Sequence, residues 1–336
     1  MGEGLWFFVF CLLAITILIL FSVMLQDNIF TPYEATKITA EGFKDIDDKE
    51  LEELSGAEAE SNGKIRYLNN DELYDNFYCS IYDQLTQCPI RIQTELELII
   101  HEWTKRGDKI KDFKVLDAGC GTGVGSAALA KLGVKKVIAL DKSEAMIKHA
   151  KEVTLPLTTL TDEQKKRITW EHDDLINPSA LQGGQVTHAI MLYFTIYYFS
   201  DKETLLRNLF FWIKPGGHLA IHVVNKHKFD PMLESAAPWI AFSLQKYSKE
   251  RVTKSEVTFN KFKYAAEFDL QDPMAEFRET FRFKDNKIRR QRHTFRMEDM
   301  DTIVGLAKVA GWEYNGFTDL TNAGLEYMYH LHFRHP

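Results

Sequence analysis

The 336-residue chain is short of cysteine, of proline and of positive charge, and each shortage removes a class of protein. Its four cysteines, Cys11, Cys79, Cys88 and Cys120, show neither the paired spacing of a zinc site nor the density of a disulfide framework. A reducing compartment is therefore expected, with no structural disulfide and no metal site. Lys and Arg number 41 against 48 Asp and Glu, a net charge of -7. That balance argues against a nucleic-acid binder, whose domain normally carries excess cation to neutralise phosphates. Internal repeats and low-complexity tracts are missing as well. What is present, 45% hydrophobic and 12% aromatic residues, is the composition of a folded body.

One segment departs from that composition. From Leu5 to Leu25 the chain is apolar apart from Thr16 and Ser22. As a helix this run would extend roughly 30 Å, the thickness of a bilayer's hydrocarbon core. It has no polar face, as a helix of a soluble core would. It also lacks the basic flank and small-residue exit of a cleaved signal peptide. Residues 5–25 are therefore expected to form a retained transmembrane helix after a short flank, 1–4. No cation precedes the run, whereas Lys37, Lys44 and Lys49 follow it, which places the rest of the chain on the cytosolic side. Gly2 does not make a myristoylation site, because Trp6 stands where Ser or Thr is required. Residues 26–66 are rich in Glu and Asp and are expected to be a flexible tether, with one short helix near Lys49 to Leu54.

Residues 67–336 read as the folded body. Leu73, Phe77, Ile81 and Leu85 share one helical stripe, and Leu96, Ile99, Ile100 and Trp103 a second, with Pro89 between them. Short apolar runs then alternate with helical segments up to Val224. This rhythm predicts an α/β fold with a mostly parallel, doubly wound sheet covered by helices on both faces. Later, Glu276 to Phe283 and Lys287 to Phe295 flank Asp285-Asn286 and read as a β-hairpin inserted at about 250–296. A helix over Glu298 to Ala310 and an antiparallel strand pair close the chain.

The chemistry concentrates in Val115-Leu116-Asp117-Ala118-Gly119-Cys120-Gly121-Thr122-Gly123, a strand running into a glycine loop and then a helix. Glycine lets backbone approach a ligand without Cβ obstruction. A dinucleotide fingerprint would need a third glycine where Ser126 stands, counting from Gly121. With its preceding acid and its glycines two apart, the segment instead resembles the first motif of class I S-adenosylmethionine-dependent methyltransferases. Val137 to Ser143, a strand ending in Asp141, and His172-Asp173-Asp174-Leu175 resemble the family's next two motifs. Lys214-Pro215-Gly216-Gly217 is similar to its turn before the fifth strand. Thr187-His188 departs from the family pattern, which often has an Asp there.

The resemblance implies a Rossmann-like sheet, S-adenosylmethionine as cofactor and a set of cofactor-binding residues. These are Asp117, Gly119, Cys120, Gly121 and Gly123 in the loop; Asp141 on the ribose hydroxyls, with Lys142 and Met146 beside it; Asp173 and Asp174 near the adenine; and Tyr82 closing from the upstream helices. Tyr78 is a weaker candidate for the same closure. Methyl transfer from a sulfonium requires alignment more than a universal base. Where the acceptor needs one, Tyr193 and His222, near strand ends, are the catalytic candidates.

The expected function is methyl transfer to a small-molecule or lipid-like acceptor by a membrane-anchored enzyme. A catalytically silent scaffold and a nicotinamide-dependent oxidoreductase are the alternatives. The position after the fourth strand reads Tyr193-Phe194-Thr195-Ile196, without the Asn/Asp-Pro-Pro-Tyr/Phe of enzymes that methylate adenine or glutamine. Arg282, Lys284, Lys287, Arg289, Arg290, Arg292 and Arg296 make the most basic stretch. It is expected to be a solvated edge strand, or else a contact for anionic lipid headgroups or an acidic substrate.

Overall fold

In the computed structural model, residues 48–59, 66–86, 88–105, 107–231, 251–284 and 286–336 are described. The run expected to cross a membrane, 5–25, lies outside them. Among the described residues no helix is long and apolar enough to cross a membrane.

The apolar strands β3 (Lys114–Ala118), β4 (Lys136–Asp141), β6 (Val186–Met191) and β7 (Ile213–Val224) are mostly buried, as central strands must be, while β5 (Ile168–His172) is a half-buried edge strand. Their order in space is β7-β6-β3-β4-β5, and the antiparallel pair β13 (Met328–Arg334) and β12 (Glu313–Asp319) extends the β7 edge. The direction of winding therefore reverses between β3 and β6, the place where open α/β sheets bind ligands beyond their strand ends. Helices α3 (Cys88–Thr104) and α4 (Val124–Leu132) pack with one core cluster, and α6 (Lys202–Trp212) and α7 (Met300–Val309) with the other. Pro89 sits in the first turn of α3, where its missing N–H costs nothing.

The expected single hairpin is only half of what occupies that region. Strands β8 (Lys254–Thr258), β9 (Phe262–Gln271), β10 (Met274–Phe283) and β11 (Lys287–Arg296) form an antiparallel meander, a second sheet. Its far edge is covered by β1 (Glu58–Ala59) and β2 (Tyr67–Leu68), both paired with β11. The acidic segment is thus not a free tether along its described part. Helix α1 (Asp48–Ser55) buries Leu51 and Ser55 beside helix α2 (Asn76–Leu85), and β1 continues onto the second sheet. The short helix was legible; its docking was not, because the apolar partners Phe281 and Phe283 lie more than two hundred residues away.

Of the basic stretch Arg289 is spent inside the fold while Arg282, Lys284 and Arg296 stay exposed, and β11 is not an edge strand. Arg289 is buried, 2.7 Å from Asp75, donating also to the carbonyls of Ser55 and Leu73 and lying over the ring of Phe77. Arg292 reaches Glu276 and Asn69, and Arg296 reaches Glu298. Buried Lys202 ties the two sheets, donating to the carbonyls of Phe199 and Arg296 and pairing with Glu298 at 2.6 Å.

A candidate active site at the sheet crossover

The glycine loop leaves β3 and is pinned to the end of β4, with the amides of Gly119 and Cys120 both donating to the Leu140 carbonyl. Gly119 and Gly123 have φ of 76° and 82°, which glycine alone adopts at little cost. Each also lies against a neighbour: a Cβ would stand 2.6 Å from Thr195 at the first and 2.6 Å from Trp170 at the second. Gly121 faces open space, with nothing within 4 Å of where its Cβ would be. The loop is therefore packed from behind and bare in front, a cradle for a ligand.

Asp141 stands at that bare face. Its carboxylate accepts the amides of Gly121 at 2.8 Å and Ser143 at 2.9 Å. Burial raises its pKa, against the pull of those amides. Asp117 lies deeper, accepting the Ser126 hydroxyl at 2.7 Å, and burial lifts its pKa to about 6. Burial pushes the Cys120 thiol well up, so the loop cysteine is an inert neutral group. Lys142 bridges Asp71 at 3.0 Å and Asp174 at 3.6 Å across the mouth, and Met146 is buried on the first turn of α5 (Glu144–His149). The Asp173 carboxylate caps its own turn, accepting from the Asp174 amide and the Asn177 side chain. The structure thus gathers all of these residues at the carboxyl ends of β3, β4 and β5.

Helix α2 closes this site. The Thr122 hydroxyl donates to Asp83 at 2.6 Å, and the Ser143 hydroxyl to the Tyr74 carbonyl at 2.8 Å. Asp75 caps the helix by accepting the Tyr78 amide, and at this end Tyr82 meets Tyr74 and Tyr78 edge-on while those two rings are tilted against each other.

Those tyrosines form one wall of a partly open cavity between the sheets. Thr86 completes that wall; Tyr193, Phe194, Thr195 and Tyr198 come from the turn after β6, and Phe229 and Pro231 from beyond β7. The second sheet supplies Phe268, Phe277, His293 and Phe295. None of these described lining residues is Asp, Glu, Lys or Arg. Tyr82 and Tyr193 are thereby brought to the cavity. Tyr193 holds φ at 53°, strained for a tyrosine, with the Arg91 guanidinium 3.8 Å over its ring.

His222 is not among the cavity's lining residues. It is fully buried with Nδ1 2.7 Å from Glu95, which also takes His330 at 2.8 Å and Arg91 at 3.3 Å. These three acid and imidazole groups place ligand atoms within 4.8 Å of one another, yet the adjoining Arg91 supplies the positive charge a metal would bring. Burial pushes the Glu95 carboxyl up, but His222 and His330 together hold it well below the usual range.

The groups that face the cavity instead were not foreseen. His293 Nε2 lies 2.7 Å from Glu279, whose carboxylate also accepts Tyr264 at 2.6 Å and Gln291 at 2.6 Å. His293 Nδ1 lies 2.6 Å from the Tyr198 hydroxyl, which lies 2.6 Å from that of Tyr74. A signal existed: Arg289, Gln291 and His293 occupy alternate inward positions of β11, and polar residues on an inward face are the informative exception.

A family model described as a methyltransferase domain matches residues 91–313. The chain belongs to that methyltransferase domain family. Among solved structures, a methyltransferase named CcbJ from Streptomyces caelestis aligns at TM-score 0.58 and 14% identity, covering 79% of this chain and 99% of that one. An S-adenosylmethionine-dependent methyltransferase from Clostridium acetobutylicum aligns at TM-score 0.59 and 16% identity, covering 77% of this chain and 98% of that one. At such identities the likeness is one of fold. Of curated proteins, the ubiquinone biosynthesis O-methyltransferase of Proteus mirabilis is 25% identical over 128 residues, 37% of this chain and 47% of the relative. Phosphoethanolamine N-methyltransferase 1 of Arabidopsis thaliana is 31% identical over 108 residues, 32% of this chain and 20% of the relative. The chain thus spans half or less of these curated relatives' length. The domain is a class I, S-adenosylmethionine-dependent methyltransferase domain on a Rossmann-like sheet, and S-adenosylmethionine, not a nicotinamide, is its cofactor.

Proposed function

We propose that the protein transfers a methyl group from S-adenosylmethionine to a small-molecule acceptor seated in the aromatic cavity. The observation that carries this reading is the shared wall: Thr195 touches Gly119 of the bare glycine cradle on one side and lines the cavity on the other. The donor end and the acceptor end of a transfer therefore adjoin. When bound, the cofactor supplies a methyl group already activated on a positively charged sulfur.

The chain's own residues do the rest. Asp141 offers two carboxylate oxygens to a ribose diol, exchanging backbone partners for ligand hydroxyls. Gly119, Cys120, Gly121 and Gly123 present backbone without obstruction, and Asp117 fixes the loop from below through Ser126. Lys142, Asp173 and Asp174 border the adenine side, and Met146 offers it an apolar surface. Tyr82 and Tyr193 exclude water and orient the acceptor. Aligning two reactants in a closed site supplies much of the acceleration such a displacement needs.

The same proposal divides the chain into a membrane span at 5–25, an acidic connection to residue 66 and a catalytic domain at 67–336. The span holds that domain at a membrane, on the cytosolic side, where an acceptor with an apolar, lipid-like body would be encountered. Its support is the uninterrupted apolar run and the cations that follow it.

Calorimetric titration of the full chain with S-adenosylhomocysteine, beside Asp141→Ala, tests the core of this reading. Binding that is lost in the variant is expected; a folded chain that binds no product would overturn it.

A further inference from the structure

The hydrogen-bond order around His293 follows from what each group is able to donate. Glu279 is fully buried and remains a carboxylate: burial pushes its pKa up, but His293, Tyr264 and Gln291 together hold it below its ordinary value. A carboxylate only accepts, so His293 Nε2 carries the proton between them. With the imidazole neutral, Nδ1 is the bare nitrogen and accepts the Tyr198 hydroxyl. With its single proton committed, Tyr198 accepts from Tyr74 at 2.6 Å. Tyr74 has in turn spent its only proton, and its oxygen, at the cavity wall, can act only as an acceptor.

The cavity therefore offers, at the end of a chain rooted in a buried anion, a site for a ligand that donates a proton. Tyr74 is also the residue whose carbonyl is held by Ser143, two positions beyond Asp141, so this end of the chain lies on the donor side of the cavity. The lining carries no charged side chain among the described residues, so a charged ligand would be left without an ionic partner in a desolvated space. A neutral hydroxyl fits: it donates a proton, and unlike an already deprotonated amine it needs a base to become a nucleophile.

We propose that Tyr74, Tyr198, His293 and Glu279 form a proton relay serving a neutral alcohol or phenol acceptor with an apolar body, an inference that rests on the methyl-transfer reading above. In the step, the acceptor oxygen forms its bond to the methyl carbon as the carbon–sulfur bond breaks, the electron pair of that bond staying on sulfur. The acceptor O–H bond breaks and its proton goes to Tyr74, that of Tyr74 to Tyr198, and that of Tyr198 to His293 Nδ1. His293 ends as an imidazolium against the Glu279 carboxylate, replacing the positive charge lost at sulfur. It returns the proton along the same chain to solvent once the methylated product leaves. Both tyrosines keep their protons at rest, because burial drives their pKa values well above 10. Tyr74 is the group that touches the acceptor; Tyr198, His293 and Glu279 act through it. The titratable groups packed on His293 are Glu279 from β10, Tyr198 from the turn after β6, and Tyr74 and Tyr78 at the start of α2.

The test uses the full chain with S-adenosylhomocysteine for binding and S-adenosylmethionine for transfer, and phenol, para-nitrophenol and benzylamine as acceptor probes. In the product complex, the absorbance of bound para-nitrophenol is expected to show more phenolate than the free probe at the same pH. Tyr198→Phe, which deletes one oxygen from the chain, should abolish that gain and leave product affinity unchanged. It should also slow methylation of phenol by roughly a hundredfold, the usual worth of general-base help. The more acidic para-nitrophenol should suffer less. His293→Gln should repeat the pattern if it folds; Tyr198→Phe suffices if it does not. Equal phenol methylation by the parent and Tyr198→Phe chains would overturn the relay, as would methylation of benzylamine with none of the phenols. In both cases product binding would leave the methyl-transfer reading standing. A parent chain that binds no S-adenosylhomocysteine would remove that reading, and the relay with it.

Discussion

Gly119 passes so close to Thr195 that a Cβ on the glycine would stand 2.6 Å from the threonine methyl. In the proposed reading one residue belongs to the cofactor cradle and the other to the acceptor cavity, so the contact sets the spacing of the two half-sites. Gly119→Ala meets both this clash and a φ of 76°, and is expected to weaken S-adenosylhomocysteine binding by tenfold or more, roughly the effect of 1–3 kcal/mol of local strain. Thr195→Ser removes the offending methyl. Added to Gly119→Ala it should recover part of the affinity, and calorimetry on the single and double variants measures that coupling.

Asp117 makes stability depend on pH in a direction opposite to most carboxylates. Burial raises its folded pKa from 3.8 to about 6, so the folded state binds this proton more tightly than the unfolded chain does. The group's contribution is thus most favourable below the unfolded value, declines as pH rises through the window from 3.8 to about 6, and stays level above it. Across the window the change is roughly 3 kcal/mol at 1.36 kcal/mol per pH unit. Asp117→Asn keeps a side-chain oxygen for Ser126 and cannot ionise. Urea midpoints measured from pH 4 to pH 7 should show the variant gaining on the parent chain as pH rises; parallel profiles would refute the assignment.

Arg289 anchors the N-terminal segment and α2 to the second sheet through Asp75 and the carbonyls of Ser55 and Leu73. Arg289→Met leaves the Ser55 and Leu73 carbonyls without their donor and half-exposed Asp75 without its cation, and a buried polar group left unpaired typically costs about 1–3 kcal/mol. A urea midpoint lowered to that extent is expected. Because the side chain is spent inside the fold, the loss should be the same with and without anionic vesicles.

Much of the first sheet was readable from the chain. Lys114 to Asp117 and Lys136 to Leu140 each fall within a strand of the structure, because strands buried on both faces are written as contiguous apolar runs, and Thr169 to His172 falls within the half-buried edge strand β5. The loop from Gly119 to Gly123 was readable for a related reason: backbone that must come close to other atoms admits only glycine. The second sheet was less so. Phe262, Tyr264, Ala266 and Phe268 do alternate, but which strand they pair with is a non-local fact that no local pattern contains. The same limit hid the relay. His293 sits in the middle of the arginines of β11 and reads there as one more basic residue; only the register that sets Glu279 beside Gln291, and the crossing of β11 past Tyr198, give it its partners. His222 failed in the converse way. It stands near the end of a parallel strand, as a catalytic histidine would, yet the neighbouring strand β13 delivers His330 to the same carboxylate and makes it part of the packing.

The second sheet enters the chain as one uninterrupted stretch between β7 and α7, and its strands β8 to β11 pair only with near neighbours in sequence or with the N-terminal β1 and β2. The loops that grip the donor, by contrast, all issue from β3, β4 and β5. In the proposed reading the two halves of the site are thereby separable: a substitution in the meander reshapes one wall of the cavity and leaves the glycine loop untouched, and Thr195 is where the two meet.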